Sequence, residues 1–144
     1  MLFRFSLVII LFSFSNALSL TKKNLVFDGG VKLTVEVAKS QKDRSQGLMY
    51  RKELKKNHGM LFEFPKIDYM SFWMKNTYIP LSIGFFDKDR RLLQVIDMKP
   101  AQGPVRESKL KNYRSQSKGK YALEVNIGWF KRHKIKTGSR FQMK

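Results

Sequence analysis

The chain has 144 residues and no cysteine, with 29 Lys+Arg against 11 Asp+Glu, a formal net charge of +18. Without cysteine there is no disulfide framework, no Cys-ligated metal site, no thiol nucleophile and no lipid-attachment cysteine. The length suits one domain, and 42% hydrophobic with 13% aromatic residues is enough for a core, which excludes global disorder.

Residues 1–17, MLFRFSLVIILFSFSNA, place Arg4 before an apolar run from Phe5 to Phe14 and end on Ser15-Asn16-Ala17. This predicts a secretory signal peptide cut after Ala17. A bilayer-spanning helix needs roughly 20 apolar residues, so an uncleaved anchor is the weaker alternative. Residues 18–144 then form a single domain of net charge +17 in a periplasmic or secreted location.

Asn24–Phe27 and Val31–Val37 read as strands joined by the turn Asp28-Gly29-Gly30. In the second, Val31, Leu33, Val35 and Val37 share one face. Ser40 with Asp43 is an approximate capping box for a short helix over Gln41–Gln46, stopped by Gly47. Arg51–Gly59 is basic and loop-like. Short apolar segments follow, each ended by turn residues: Met60–Phe64, Ser71–Lys75, Leu81–Phe86 and Leu92–Met98. The fourth is apolar on both faces and is expected to be a central strand. Pro100–Gly119 reads as a long surface loop. Tyr121–Asn126 is a strand, Gly128–Lys134 a turn or short helix, and Arg140–Met143 a last strand. The fold class expected is mainly β: a small single-domain barrel or roll with one short helix and a long surface loop.

From Arg106 to Lys144 there are twelve Lys/Arg and two Glu. Nucleic acid is not the expected partner. The leader directs the chain away from it, Lys outnumbers Arg 20 to 9, and no helix-turn-helix, zinc-finger or RNP-like motif is present. The charge is either a solvated surface or an attraction to an anionic envelope surface, which salt would distinguish.

GLMYR (Gly47–Arg51), GMLFEF (Gly59–Phe64), SFWMKNT (Ser71–Thr77), IPLSI (Ile79–Ile83) and YALEVNIGW (Tyr121–Trp129) occur in this order, after VEVA at Val35–Ala38. Together they resemble the domain-of-unknown-function 192 family, from about Val31 to the C-terminus. The resemblance implies a small, often exported, mainly β domain with a short helix, and no established activity. In that family's usual pattern Asp follows the Pro-Leu pair; here Ser82 follows Pro80-Leu81. A hydroxyl carries no charge, which weakens a catalytic or cation-binding role at this position.

Strand alternation puts Trp73 and Lys75 on one face, leading into Asn76 and Thr77, with Phe72 and Met74 turned to the core. Ser82 and Glu124 lie on alternating faces of their own strands. These residues, with Arg51, form a candidate polar patch beside an aromatic ring, suited to a small polar ligand. The alternative is structural: a Glu124–Lys75 ion pair across strands, Asn76-Thr77 bonding their own turn, and Arg51 pairing with Glu53 or Glu63.

Enzyme chemistry is poorly supplied. There is no GxSxG, HExxH, GxGxxG or phosphate-cradling loop, and His58 and His133 sit among cations. No cofactor is expected. The leading expectation is a non-catalytic binding or accessory module of the cell envelope, monomeric. The competing one is a small envelope hydrolase with Glu124 as general base, its pKa depressed by Lys75. A third is a copper site from Met49, Met60, Met70 and Met74 near His58, although methionine is also a core gap-filler.

Overall fold

Alternation of apolar and polar residues builds the first hairpin. In a computed structural model that describes residues 20–144, β1 (Lys22–Phe27) pairs antiparallel with β2 (Lys32–Ala38), Leu25 opposite Leu33. The predicted signal peptide lies outside the described residues. The capping box is present as read: Ser40 Oγ accepts from Asp43 N and the Asp43 carboxylate accepts from Ser40 N, opening α1 (Gln41–Gln46). Gly47, at φ +50°, ends it.

Helix α1 is the crossover that lets β3 (His58–Asp68) run parallel to β2; among the described residues every other pairing is antiparallel. Next come β4 (Ser71–Trp73), β5 (Leu81–Phe86), β6 (Leu92–Met98), β7 (Asn112–Arg114), β8 (Gly119–Asn126), the short helix α2 (Trp129–Arg132) and β9 (Phe141–Met143). Seven strands form one sheet in the order β6-β5-β8-β3-β2-β1-β9, and β4 pairs with β7 in a second. The edges of the large sheet meet at one end. Arg91 and Arg140 form a bridge, and Leu92 N donates to Ser139 O at 2.8 Å. The result is a curled, half-barrel sheet, the mainly β architecture expected.

The sheet is apolar on both faces. One core cluster draws on β1, β2, β8, α2 and β9, elements from across the sheet, and so fills the inside of the curl; it includes Phe27, Leu33, Val125, Trp129 and Phe141. The other lies outside β3, β5 and β8, where Met60, Phe62, Ile83 and Phe85 pack beneath Leu48 and the β4–β7 pair. All six residues of β5 are buried, and β8 is nearly so.

Two expectations need correction. Strand β6 is an edge, not a centre. Its apolar residues are covered unevenly: Leu92 and Met98 are buried in the two core clusters, Ile96 packs against the second, and Val95 stays 38% exposed. The Pro100–Gly119 stretch is not all loop, since it contains β7, whose Tyr113 lies opposite Phe72. No helix among the described residues is long and apolar enough to cross a membrane.

Candidate functional site

The second core cluster is incomplete at one point. Between α1, the end of β3, β4 and the middle of β8 an open cleft of about 310 Å³ remains. Gly47, Leu48 and Met49 line one side, and Phe62, Phe64, Phe72 and Trp73 supply aromatic walls. The ring of Phe72 stands 82° from Phe62 with centroids 5.0 Å apart, and 78° from Phe64 at 6.1 Å. The aromatic walls therefore face in different directions.

Glu124 is at the floor. Its cross-strand neighbours are Met60 on β3 and Ile83 on β5, both fully buried. The residue is 5% exposed, and no described residue hydrogen-bonds its carboxyl. Desolvation alone pushes its pKa up to about 8. At neutral pH the group is mostly a neutral acid, one O–H donor at the base of an aromatic cleft.

Trp73 and Thr77 line the cleft with Glu124. Thr77 is buried, and its hydroxyl donates to Lys75 O at 3.0 Å, so its side chain also closes the turn. Lys75 and Asn76 line an adjoining groove of about 350 Å³, with Thr77 in the wall common to both. Lys75 does not pair with Glu124. Its ammonium bonds the Glu107 carboxylate and lies 5.2 Å from the Trp73 ring. Asn76 adopts φ +48°, a left-handed conformation Asn tolerates. It donates to Tyr50 Oη at 2.7 Å and accepts from Tyr50 N at 2.8 Å, tying the turn to the segment after α1.

Two members stand apart from this cleft. Ser82 pairs with Val125, not Glu124, so it belongs to the opposite face of the sheet. Its buried hydroxyl donates to Asp97 and accepts from Gly128 N at 2.8 Å, joining β5, β6 and the start of α2. Where the resemblance leads one to expect a carboxylate, this chain has a hydroxyl bonded to the Asp97 carboxylate of the next strand. Arg51 pairs with neither Glu53 nor Glu63. It grips Glu36 through two bonds of 2.9 and 2.6 Å in a groove on the far side of α1. That hydrogen bonding holds the Glu36 carboxyl below its ordinary value and raises Arg51.

Sequence reasoning missed Phe62, Phe64, Met49 and the α1 terminus as cleft walls. Adjacent apolar residues in a strand signal two buried faces, but not a gap in the cover of one of them. Three of the methionines, Met60, Met70 and Met74, are buried within the second core cluster, and Met49 is partly exposed at the cleft. His58 Nδ1 lies 3.0 Å from Lys56 O, in a separate groove that Glu36 and Arg51 also line.

Fold and cleft together define a small half-barrel domain with a buried carboxyl beneath an aromatic opening. The chain belongs to the DUF192 family, "Uncharacterized ACR, COG1430", whose model matches residues 24–143. Among solved structures it is similar to a protein of Sinorhizobium meliloti 1021 described as a "putative transcription regulator". The identity is 33% over 87% of this chain and 95% of that one, with a TM-score of 0.75. It is also similar to a protein of unknown function from Novosphingobium aromaticivorans DSM 12444, at 29% identity over 84% of this chain and 83% of that one, with a TM-score of 0.68. No curated protein matches.

Proposed function

We propose that this chain is an exported, non-catalytic binding module of the cell envelope that holds a small ligand in the cleft above Glu124. The observation that carries this reading is the buried carboxyl without a partner among the described residues, opening into an aromatic-walled cleft. The carboxyl lines the open cleft, where a ligand group can hydrogen-bond it. Four aromatic lining residues stand beside polar ones, Gln41, Arg44, Ser45, Gln46 and Ser71 among them, so the cleft offers both apolar and hydrogen-bonding surface to a small polar ligand.

A binding role is favoured over hydrolysis because Glu124 is the one carboxylate among the described lining residues, and two-carboxylate hydrolysis needs a second. The general-base form of the enzyme reading also loses its premise, since the Glu124 pKa is raised and Lys75 is engaged elsewhere. Export rests on the leader pattern of residues 1–17, and the basic surface is proposed to bring the module to an anionic envelope surface. Extending the transcription-regulator description to this chain is disfavoured by the same leader. It is also disfavoured by α1, six residues long and the longest helix among the described residues, which is short for a major-groove reader.

Native mass spectrometry of protein taken from the periplasmic or secreted fraction tests the reading. The expected species starts at Leu18 and carries one small-molecule adduct, which a Trp73→Ala, Glu124→Gln double variant loses. A full-length cytoplasmic species overturns export. The absence of any adduct, together with no perturbation of the Trp73 indole in a ligand screen, overturns binding.

A further inference from the structure

Apart from the Glu124 cleft, a groove of about 250 Å³ lies between β7 and the loop that leads into it. Its charged lining residues are Lys99, Lys109 and Lys111, with no carboxylate among them. The other grooves differ in this respect. Glu124 lines the cleft, Glu107 the groove adjoining it, and Glu36 both grooves around Arg51. The two carboxylates nearest the three lysines in sequence are engaged elsewhere, Asp97 by the Ser82 hydroxyl and Glu107 by Lys75. Among the described residues none of the three ammonium groups forms an ion pair. All three side chains are exposed, and the Lys111 ammonium lies 4.9 Å from the Tyr113 ring.

Between the lysines the floor is apolar. Met74 and Tyr113 are 4% and 6% exposed, and Leu110 is half-buried. Strand β7, which carries Tyr113, has β4 as its one strand neighbour, so its second edge has no strand partner among the described residues. Such an edge presents unpaired N–H and C=O groups, which an extended peptide completes by adding as a further strand.

We propose that this groove docks an extended acidic peptide segment of a partner protein, which adds to the edge of β7 and sets one apolar side chain between the three lysines. The all-positive lining selects an anion. A volume of about 250 Å³ is below the roughly 300–1,000 Å³ of a pocket for a drug-sized molecule and suits a single side chain. The recessed floor disfavours a bilayer, which meets a protein at its protruding surface, and the open edge offers backbone groups that a peptide matches and a lipid does not. In an extended peptide side chains alternate, so residues two positions either side of the apolar one point the same way. Acidic residues at those positions reach the lysines. The surface is separate from the cleft, and a ligand there is not required.

The test titrates the soluble, isotopically labelled protein at low ionic strength with the capped peptide Glu-Thr-Glu-Thr-Leu-Thr-Glu-Thr-Glu, followed by NMR at the β7 amides and the Met74 methyl. The expected result is binding that shifts these signals and leaves the Glu124 amide unmoved. Replacing every glutamate by glutamine is expected to weaken binding at least about tenfold, as is raising the salt to about 0.5 M. Replacing the leucine by serine is expected to weaken it about threefold to tenfold. A Lys99→Ala, Lys109→Ala, Lys111→Ala variant is expected to fold, because its three side chains are exposed and form no ion pair, and to lose at least about tenfold in affinity. N-methylation of alternate peptide residues separates strand addition from charge attraction: one of the two alternating sets abolishes binding and the other spares it. Equal binding of the glutamate and glutamine peptides, an unaffected triple variant, or indifference to both methylation sets overturns the proposal. So does phosphatidylglycerol vesicle binding that maps to Lys99, Lys109 and Lys111 without peptide binding, which assigns the groove to lipid. None of these outcomes bears on the cleft, so the binding module stands or falls separately.

Discussion

Glu124 is where sequence and structure differ most in sign. Beside Lys75 in a strand pattern it reads as an ionised base; in the fold it is buried among apolar side chains and keeps its proton to about pH 8. The consequence for stability follows from linkage. The folded-state pKa lies above the ordinary value, so between about pH 4.5 and 8 the folded state binds more protons than the unfolded one. This contribution is fully present below that window and is lost as pH rises through it, by on the order of a few kcal/mol. Thermal unfolding of the wild type across pH 5 to 8 is expected to show a declining midpoint. Glu124→Gln, neutral throughout, is expected to remove most of the decline and to exceed the wild type at pH 8. Parallel curves for the two proteins would contradict the buried acid. The residue types of this neighbourhood were legible in the sequence, including Trp73 and Thr77. The charge state was not, because desolvation depends on what three other elements place around the carboxyl.

At the scale of elements, the locally determined features were readable and the pairings were not. The α1 cap is set by side chains three residues apart, and it appears as read. Strand β7 was unreadable because three residues, Asn112–Arg114, become a strand only against β4. The edge position of β6 and the separation of Ser82 from Glu124 are likewise matters of pairing. Close approach of β3 and β8 gives a test of how the elements hold the site. A Cβ on Gly59 would lie 2.6 Å from the Glu124 carbonyl oxygen and 3.0 Å from Val125 Cγ1. Both belong to a central strand with little room to move, so Gly59→Ala is expected to destabilise the domain by about 1–3 kcal/mol. Its denaturant midpoint should fall, and the amides around Glu124 should shift in NMR spectra. An unchanged midpoint would mean that the two strands can part.

For the whole molecule, the +18 charge acts through its placement. At the far end of β3, Tyr69 is 62% and Ile67 48% exposed, and Lys118 lies 5.9 Å from the Tyr69 ring. Exposed amphipathic and apolar side chains beside lysine suit the boundary of an anionic surface. The domain is expected to co-sediment with vesicles containing phosphatidylglycerol at low ionic strength. Release is expected by about 0.5 M salt, where screening is nearly complete. Equal binding to uncharged phosphatidylcholine vesicles, or retention at high salt, would argue against an anionic partner.

The amino-acid sequence by itself determined the mainly β class, most strand positions, the capped helix and the family resemblance. Each of these is written in short-range order: period-two alternation, side chains three residues apart, turn residues and contiguous motifs. Only the tertiary structure decided that Ser82 and Glu124 occupy opposite faces, that Lys75 turns to Glu107, and that aromatic residues from β3 and β4 leave a cleft above a protonated carboxyl. Those outcomes depend on strand register and burial. Both arise from contacts between segments tens of residues apart, and alternation within a single strand carries no information about them.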